Sequence, residues 1–237
     1  MARTAIWKNI TATLTHDIAT GKYAPGDQLP TEAQLAARFG VNRHTVRRAI
    51  SDMNEGGLTY SRRGAGVFVA QRPTDYAIGK RVRFHQNLAA AGRVPAKEIL
   101  TLETRAASSH EAEQLGLEGG ALVHVYEGLS LADNQPIAIF RSLFPAARFP
   151  DLLAALETSR SVTSALAQAG VADYTRASTR LTAKLANATQ ALHLRLSEGA
   201  PILRSAGINV DPDGVPVEYG VTWFVGDRVT LTLNPGD

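Results

Sequence analysis

The fold of the N-terminal part of the chain is decided by residues 25–69, which read PGDQLPTEAQLAARFGVNRHTVRRAISDMNEGGLTYSRRGAGVFV. This stretch predicts a short helix, a tight turn, a second helix rich in arginine, and a β-hairpin with a glycine-rich tip. Thr31 and Gln34 have the spacing of a capping box, and Gly40 can end the first helix in the left-handed conformation. Asn42 is a good cap for the next helix. The stretch therefore predicts a helix-turn-helix followed by a hairpin.

The second predicted helix separates apolar residues from basic ones. Apolar residues recur on one face at spacings of three and four, namely Val46, Ala49, Ile50 and Met53. The remaining face carries Arg43, His44, Arg47, Arg48 and Ser51. Such cations are often no more than a solvated helix face. Because this cluster is joined to a helix-turn-helix and a basic hairpin, we predict that it binds DNA.

The predicted hairpin, or wing, is the second candidate for DNA contact. Its strands, residues 58–61 and 67–69, flank a tip that contains Arg62, Arg63 and Gly64. A glycine-rich tip can approach the sugar-phosphate backbone closely, and the two arginines can neutralise phosphates or enter a minor groove. Taken alone, an arginine-rich turn could equally be a surface loop.

The charge distribution agrees with a DNA-binding N-terminal module. Residues 1–72 hold ten Lys and Arg against five Asp and Glu, whereas the whole chain has a net charge of only +3. The absence of cysteine excludes disulfides, thiolate catalysis and cysteine-based metal sites. No apolar run approaches membrane-spanning length, and the N-terminus lacks a signal-peptide core. The sequence therefore predicts a cytoplasmic protein without a membrane partner.

Residues 4–70 resemble the winged helix-turn-helix of the GntR family of bacterial transcription factors. The matching motifs are LPTEAQLAARFGVNRHTVRRAI and RRGAGVFV. The resemblance implies that the recognition helix contacts bases and phosphates of double-stranded operator DNA, and that the wing tip contacts its backbone. Many family members carry Arg where this chain has Ala33, so its operator preference can differ from theirs. The full predicted DNA-binding set is Thr31, Asn42, Arg43, His44, Thr45, Arg47, Arg48, Arg62, Arg63 and Gly64.

An internal repeat organises the rest of the chain. Six residues of the first copy, Glu118, Gly119, Leu122, Asp133, Pro136 and Phe144, reappear 80 residues later as Glu198, Gly199, Ile202, Asp213, Pro216 and Phe224. Each copy predicts a helix, a strand, a turn and a second strand. Two such copies would build one mixed sheet with helices against a face, which is an α+β domain.

The periodicity breaks at Pro73, Thr74 and Asp75, which marks a domain boundary. We therefore expect a DNA-binding domain at residues 1–71, a linker at 72–80, and an effector-binding and dimerisation domain at 81–237.

Catalytic chemistry finds little support in the second domain. Three of its histidines, His110, His124 and His193, are scattered without metal-site spacing, and no nucleophile elbow, P-loop or dinucleotide fingerprint occurs. We expect no enzymatic activity, no cofactor and no metal.

Residues 80–233 resemble the effector-binding (UTRA) domain of the HutC subfamily of GntR regulators, which shares its fold with chorismate lyase. The matching motifs are DNQPIAIFRSLFP and DPDGVPVEYGVTWFVGDRV, and the overall layout looks most like the regulators of phosphonate utilisation. The resemblance implies a pocket that includes Ser161, Thr163, Glu218 and Phe224. Ser161 could instead be a helix cap, and Phe224 a core aromatic.

An anionic effector also needs cationic donors. The candidates are Arg81, Arg83 and Arg141, because a guanidinium matches phosphonate or phosphate oxygens in bidentate fashion. For Arg81 and Arg83 a surface or interface ion pair is an equal alternative, so Arg141 is the preferred prediction. Glu218 lies on an otherwise apolar strand, where a carboxylate calls for a partner.

Together these observations predict a ligand-responsive, homodimeric repressor. It would bind a palindromic operator and be released by a small anionic effector of the phosphonate or phosphate-ester class. The alternative is an enzyme that uses the chorismate-lyase-like pocket for chemistry on a small acid.

Overall fold

The computed structural model describes residues 5–62, 64–70, 73–81 and 84–233, and the chain divides into two units after residue 72. Among these residues, every helix is too short or too polar to span a bilayer.

The N-terminal unit is a winged helix-turn-helix, as predicted. Its elements are α1 (Ile6–Ala19), α2 (Glu32–Phe39), α3 (Arg43–Glu55), β1 (Thr59–Arg62) and β2 (Gly66–Val69). The Thr31–Gln34 capping box is present, and Gly40 ends α2 with a φ of 62°. The side chain of Asn42 accepts a hydrogen bond from the Thr45 backbone N–H and caps α3. Local chemistry therefore determines where both helices begin.

One apolar cluster holds these elements together. The buried stripe of α3 packs with residues of α1 and α2 in a core formed by Ile10, Leu14, Leu29, Leu35, Val46, Ala49, Ile50, Met53 and Val69. Burying one face of α3 leaves its basic face in solvent.

The second unit contains two sheets. Its elements are β3 (Thr74–Ala77), α4 (Phe84–Ala90), β4 (Pro95–Ala106), α5 (Ser109–Leu115), β5 (Leu122–Ala132), β6 (Gln135–Pro145), α6 (Leu152–Ser159), α7 (Val162–Gln168), β7 (Thr175–Leu185), α8 (Ala188–Leu194), β8 (Pro201–Val210), β9 (Pro216–Val225) and β10 (Val229–Thr232). Six strands form an antiparallel sheet in the order β4-β5-β6-β9-β8-β7. β3 and β10 pair in parallel and form the second, separate sheet. The fold class is α+β, as predicted.

The 80-residue repeat corresponds to two halves of the large sheet. β4-α5-β5-β6 and β7-α8-β8-β9 have the same order, and the halves meet where β6 pairs with β9. The sequence prediction missed the first strand of each half. In β7 most side chains are exposed, so its sequence lacks the apolar alternation by which a half-buried strand is recognised.

The prediction of a linker over residues 72–80 is wrong for residues 74–77. This segment forms β3, whose Thr74 and Tyr76 are buried by pairing with β10. A four-residue strand with two buried positions is too short to show a period in the sequence. Residues 71 and 72 lie outside the described residues.

The two faces of the large sheet are covered differently. One face packs against α5 and α8. The other, called the cavity face here, carries Phe140, Ser142, Glu218 and Phe224, and α6 and α7 cover part of it. The remaining part of the cavity face encloses the cavity described below.

Candidate functional sites

The basic side chains of α3, the recognition helix, differ in how strongly neighbouring side chains restrain them. Arg43, His44, Arg47 and Arg48 are all exposed. Within the described part of the chain, Arg43 and His44 make no hydrogen bond or ion pair. The guanidinium of Arg48 lies 4.8 Å from the centroid of the Trp7 ring on α1, which limits its motion. Arg43 is therefore the least restrained cation for contact with DNA.

Arg47 is held by a carboxylate from the preceding helix. Its Nε donates to Glu32 Oε1 at 3.0 Å and its Nη2 to Glu32 Oε2 at 2.7 Å. The hydrogen bond from Arg47 lowers the pKa of the Glu32 carboxyl, so the pair stays charged. This side-on geometry leaves the outer edge of the guanidinium free to donate. The sequence analysis missed Glu32 because nothing local in the sequence connects residues fifteen positions apart.

The wing orients one arginine with two aromatic rings. The guanidinium carbon of Arg62 lies 5.2 Å from the Tyr60 ring centroid and 4.8 Å from that of Phe68. Arg62 Nη2 also donates to Tyr60 Oη at 3.0 Å. Gly64 is exposed at the tip with a φ of 76°. Arg63, which was predicted to contact DNA, lies outside the described residues.

The second unit encloses a polar cavity of about 110 Å³ on the cavity face. It is lined by Tyr76, Phe84, His85, Lys97, Ser130, Phe140, Ser142, Ser161, Val162, Thr163, Tyr174, Arg176, Asn209, Glu218, Thr222 and Phe224. A smaller cavity of about 60 Å³ shares six of these residues, among them Arg176 and Glu218. The lining comes from both halves of the repeat and from β3.

Four predicted effector-binding residues line this cavity together. Ser161 both lines the cavity and caps α7, where it accepts a hydrogen bond from the Ser164 backbone N–H. Thr163 Oγ1 lies 3.0 Å from Tyr174 Oη, and the Phe224 ring packs against Tyr76. Glu218 is the fourth.

Glu218 is buried, with 7% of its surface exposed. Its Oε1 accepts from Ser142 Oγ at 2.6 Å, and its Oε2 accepts from Asn209 Nδ2 at 2.5 Å. The expectation that this carboxylate needs partners is met by two neutral donors rather than by a cation.

Arg141 does not lie in this cavity, contrary to the expectation that it joins the other predicted effector-binding residues. Successive side chains of a strand point to opposite faces, and its neighbours Phe140 and Ser142 both line the cavity. Arg141 therefore lies on the other face, where its Nε donates to Glu127 Oε2 at 2.5 Å.

Arg81 does not line the cavity either. It is exposed and forms an ion pair with Asp173, with Nη2 2.5 Å from Oδ2, which matches its surface alternative. Arg83 lies outside the described residues.

The cavity contains two cations that the sequence analysis missed. Lys97 projects from β4 among three aromatic rings, with Nζ 4.5 Å from the Phe140 centroid, 5.3 Å from Tyr126 and 5.5 Å from Phe84. Burial lowers the pKa of Lys97 to about 8, against the opposing effect of Glu218.

Arg176, from β7, is the second cation. Its Nε is buried and has no hydrogen-bond partner within the described residues. Its guanidinium lies over Gly207 of β8, where a Cβ atom would come within 1.9 Å of Arg176 Nη1. Glycine at this position is therefore required for the observed position of Arg176.

In the described part of the chain, no group of three or more His, Asp or Glu side chains is placed to hold a metal ion. The two sites define a class: a winged helix-turn-helix protein whose second, α+β unit contains a polar cavity.

Comparison with known proteins gives the particular family. Residues 7–69 match the gntR family of bacterial regulatory proteins, and residues 90–230 match the UTRA domain. An HTH-type transcriptional regulator of Rhizobium meliloti is 36% identical over 97% of this chain and 94% of its own length. The probable transcriptional regulator PhnF of Escherichia coli is 35% identical over 89% of this chain and 88% of its own length. The chain belongs to the GntR family of transcriptional regulators and carries a UTRA domain.

Solved structures support the same fold. The crystal structure of PhnF from Mycobacterium smegmatis superimposes with a TM-score of 0.66 at 24% identity, covering 95% of this chain and 98% of that one. The relatives are regulators rather than enzymes. The expectation of a regulator without enzymatic activity is therefore confirmed.

Proposed function

We propose that the chain is a homodimeric repressor that binds a two-fold-symmetric operator and is released by a small anionic effector. The expected effector class is a phosphonate or a phosphate ester. The observation that carries the proposal is the pair of cavity cations, Lys97 and Arg176, neither of which has a carboxylate partner among the described residues.

An anion in this cavity would satisfy a donor that is otherwise left without an acceptor. A buried, unsatisfied donor of a charged group is costly, and a phosphonate oxygen offers the guanidinium a charge-assisted hydrogen bond. The similarity to PhnF supports the phosphonate class, as does the resemblance to regulators of phosphonate utilisation.

The DNA-binding side of the proposal rests on Arg43, Arg47 and Arg62. A closed dimer presents two identical reading heads, and mirrored half-sites satisfy both. Several relatives are named as repressors, including NagR of Bacillus subtilis, which is 26% identical. Because the operator is chromosomal DNA of a bacterium, we assign the protein to the cytoplasm.

The effector need only bind better to the arrangement that does not bind DNA. A difference of about 1–3 kcal/mol between the two arrangements changes operator affinity about 5- to 150-fold. The linkage is reciprocal, so operator DNA must weaken effector binding by the same factor.

The test measures operator binding by fluorescence anisotropy with and without a panel of phosphonates and phosphate esters, after footprinting has located the operator. We expect one class to lower operator affinity, and Arg176→Gln to remove this response. The matched control is Arg141→Gln, on the opposite face of the same sheet, which should respond like the unaltered protein. A response that survives Arg176→Gln but is lost in Arg141→Gln contradicts the proposed anion site. An asymmetric footprint contradicts the symmetric dimer.

A further inference from the structure

We propose that the effector is a zwitterion, with an acidic group for Lys97 and Arg176 and an ammonium group for Glu218. This inference rests on the proposed function, because it specifies the ligand of the same cavity. The observation behind it is that Glu218, unlike the other buried carboxylates, has no cationic partner in the described residues.

Buried carboxylates elsewhere in the described residues are paired with cations. Three acidic side chains are buried: Asp17, Asp211 and Glu218. Asp17 forms ion pairs with Arg38 and Lys22, and Asp211 forms one with Arg148. Glu218 differs, because its hydrogen-bond partners, Ser142 and Asn209, are both neutral.

The two cations of the cavity, Arg176 and Lys97, also lack a carboxylate as hydrogen-bond partner in the described residues. Arg176 keeps a buried Nε without an acceptor, and the contacts of the Lys97 ammonium are with aromatic rings. Both charges line the same cavity as Glu218. Glu218 lies on β9 and Arg176 on β7, with β8 between them in the sheet. In the described residues they form no ion pair, and the cavity separates them.

A ligand that carries an acidic group and an ammonium group would provide hydrogen-bond partners for the cations of the cavity and for Glu218. Its acidic oxygens would accept from Arg176 and Lys97, and its ammonium would donate to the lone pairs of Glu218 that Ser142 and Asn209 leave free. Glu218 accepts one hydrogen bond on each oxygen, which leaves room for a further donor on each. A simple anion would instead bring negative charge toward Glu218, a carboxylate whose hydrogen-bond partners are both neutral, which is unfavourable.

The ligand class can be tested without altering the protein. Three matched pairs differ only by the ammonium group: 2-aminoethylphosphonate and ethylphosphonate, O-phosphoethanolamine and ethyl phosphate, β-alanine and propionate. Titration calorimetry on the full chain should show that, in at least one pair, the ammonium form binds about tenfold more tightly or better, as a charge-assisted hydrogen bond provides. Equal affinity within every pair that binds overturns the zwitterion while leaving the anion-regulated repressor intact. If none of the six compounds binds, both proposals fail.

A variant then locates the ammonium site. Glu218→Gln keeps the side-chain size and should reduce the preference for the ammonium form to near unity, with the affinity for the plain anion kept or raised. The matched control is Glu127→Gln, which removes a carboxylate from the other face of the sheet, where it pairs with Arg141; it should leave the preference unchanged. Thermal melting verifies that both variants are folded. A preference that persists in Glu218→Gln overturns the assignment.

Discussion

The arginines of the two candidate sites differ in exposure and in hydrogen-bond partners. On α3, Arg47 is anchored side-on by Glu32 and remains 63% exposed, so water and a carboxylate compensate its charge before DNA arrives. In the cavity, Arg176 has a buried Nε without an acceptor and lies over Gly207. Under the proposed function, DNA would replace the water and the carboxylate that surround Arg47, whereas an anionic ligand would give the buried Nε of Arg176 its acceptor.

The largest expected difference between the two sites is in how their affinities depend on salt concentration. If docking neutralises about 6–10 phosphates, operator affinity should fall about 10³- to 10⁵-fold between 50 and 200 mM salt, with a log–log slope of about −5 to −9. Effector affinity should change far less, because screening is weak for buried charges. Anisotropy and calorimetry over one salt series measure both. A nearly flat dependence of operator binding would contradict the proposed docking.

Replacing Gly207 should impair the cavity and spare the DNA-binding surface. In Gly207→Ala the added Cβ would lie 1.9 Å from Arg176 Nη1 and 2.7 Å from the backbone oxygen of Ser178, so both the guanidinium and the local backbone must shift. We expect effector affinity to fall about 10- to 150-fold, as for the loss of a hydrogen bond to a charged group. Gly220→Ala on the neighbouring strand is the control, since a Cβ there lies 3.5 Å from Glu218 Oε1, an ordinary contact. Equal calorimetric affinities for the two variants would show that Arg176 does not hold the anion.

Removing the least restrained cation should weaken DNA binding alone. Arg43→Ala should cost about 1–3 kcal/mol of operator affinity if Arg43 makes a bidentate base contact. Effector affinity measured without DNA should be unchanged. Arg48→Ala, whose guanidinium packs on Trp7, provides the comparison and should cost less. A larger loss in Arg48→Ala would reverse the assigned roles of the two residues.

Effector binding should weaken in alkaline solution. Lys97 has a pKa lowered to about 8, so it is charged below that pH and neutral above it. Since an anion favours the charged form, affinity should decrease as the pH rises through 8, by up to about tenfold per pH unit. Lys97→Arg does not titrate in this range and should lose the step, which controls for titration of the ligand. An identical pH profile in both proteins would exclude Lys97 from the site.

The smallest effect is expected at Glu32. Because the Arg47 pair is largely exposed, Glu32→Gln should change the free energy of unfolding by less than about 1 kcal/mol in chemical denaturation. Loss of a negative charge should raise affinity for non-specific DNA, so the ratio of specific to non-specific affinity should fall. Binding to operator and to scrambled DNA at one salt concentration measures this ratio. An unchanged ratio would mean that Glu32 has no part in orienting Arg47.

The DNA-binding unit could be predicted almost completely because its determinants are local. Capping groups, a left-handed glycine and an apolar stripe at helical spacing lie within a few residues of what they determine. The Glu32–Arg47 pair was the exception. It depends on how two helices pack, which no short-range pattern records.

The cavity could be predicted only in part because its residues come together through strand register. Ser161, Thr163, Glu218 and Phe224 were found by resemblance, and they line it. Arg141 was misplaced because both faces of β6 are largely buried, so alternation alone does not tell which face holds the cavity. Lys97 and Arg176 were missed because their strands, β4 and β7, were not predicted.

The internal repeat affects how ligand recognition by the cavity can evolve. β4 and β7 are equivalent first strands of the two halves, and each contributes one cation, Lys97 or Arg176, to a single cavity. Under the proposed function the ligand would therefore contact both copies of the repeat, which an internal duplication would explain. After such a duplication each copy is free to diverge separately. Because the proposed acidic group contacts one cation from each half, a substitution at Lys97 or at Arg176 can alter its binding while the other half keeps its own cation.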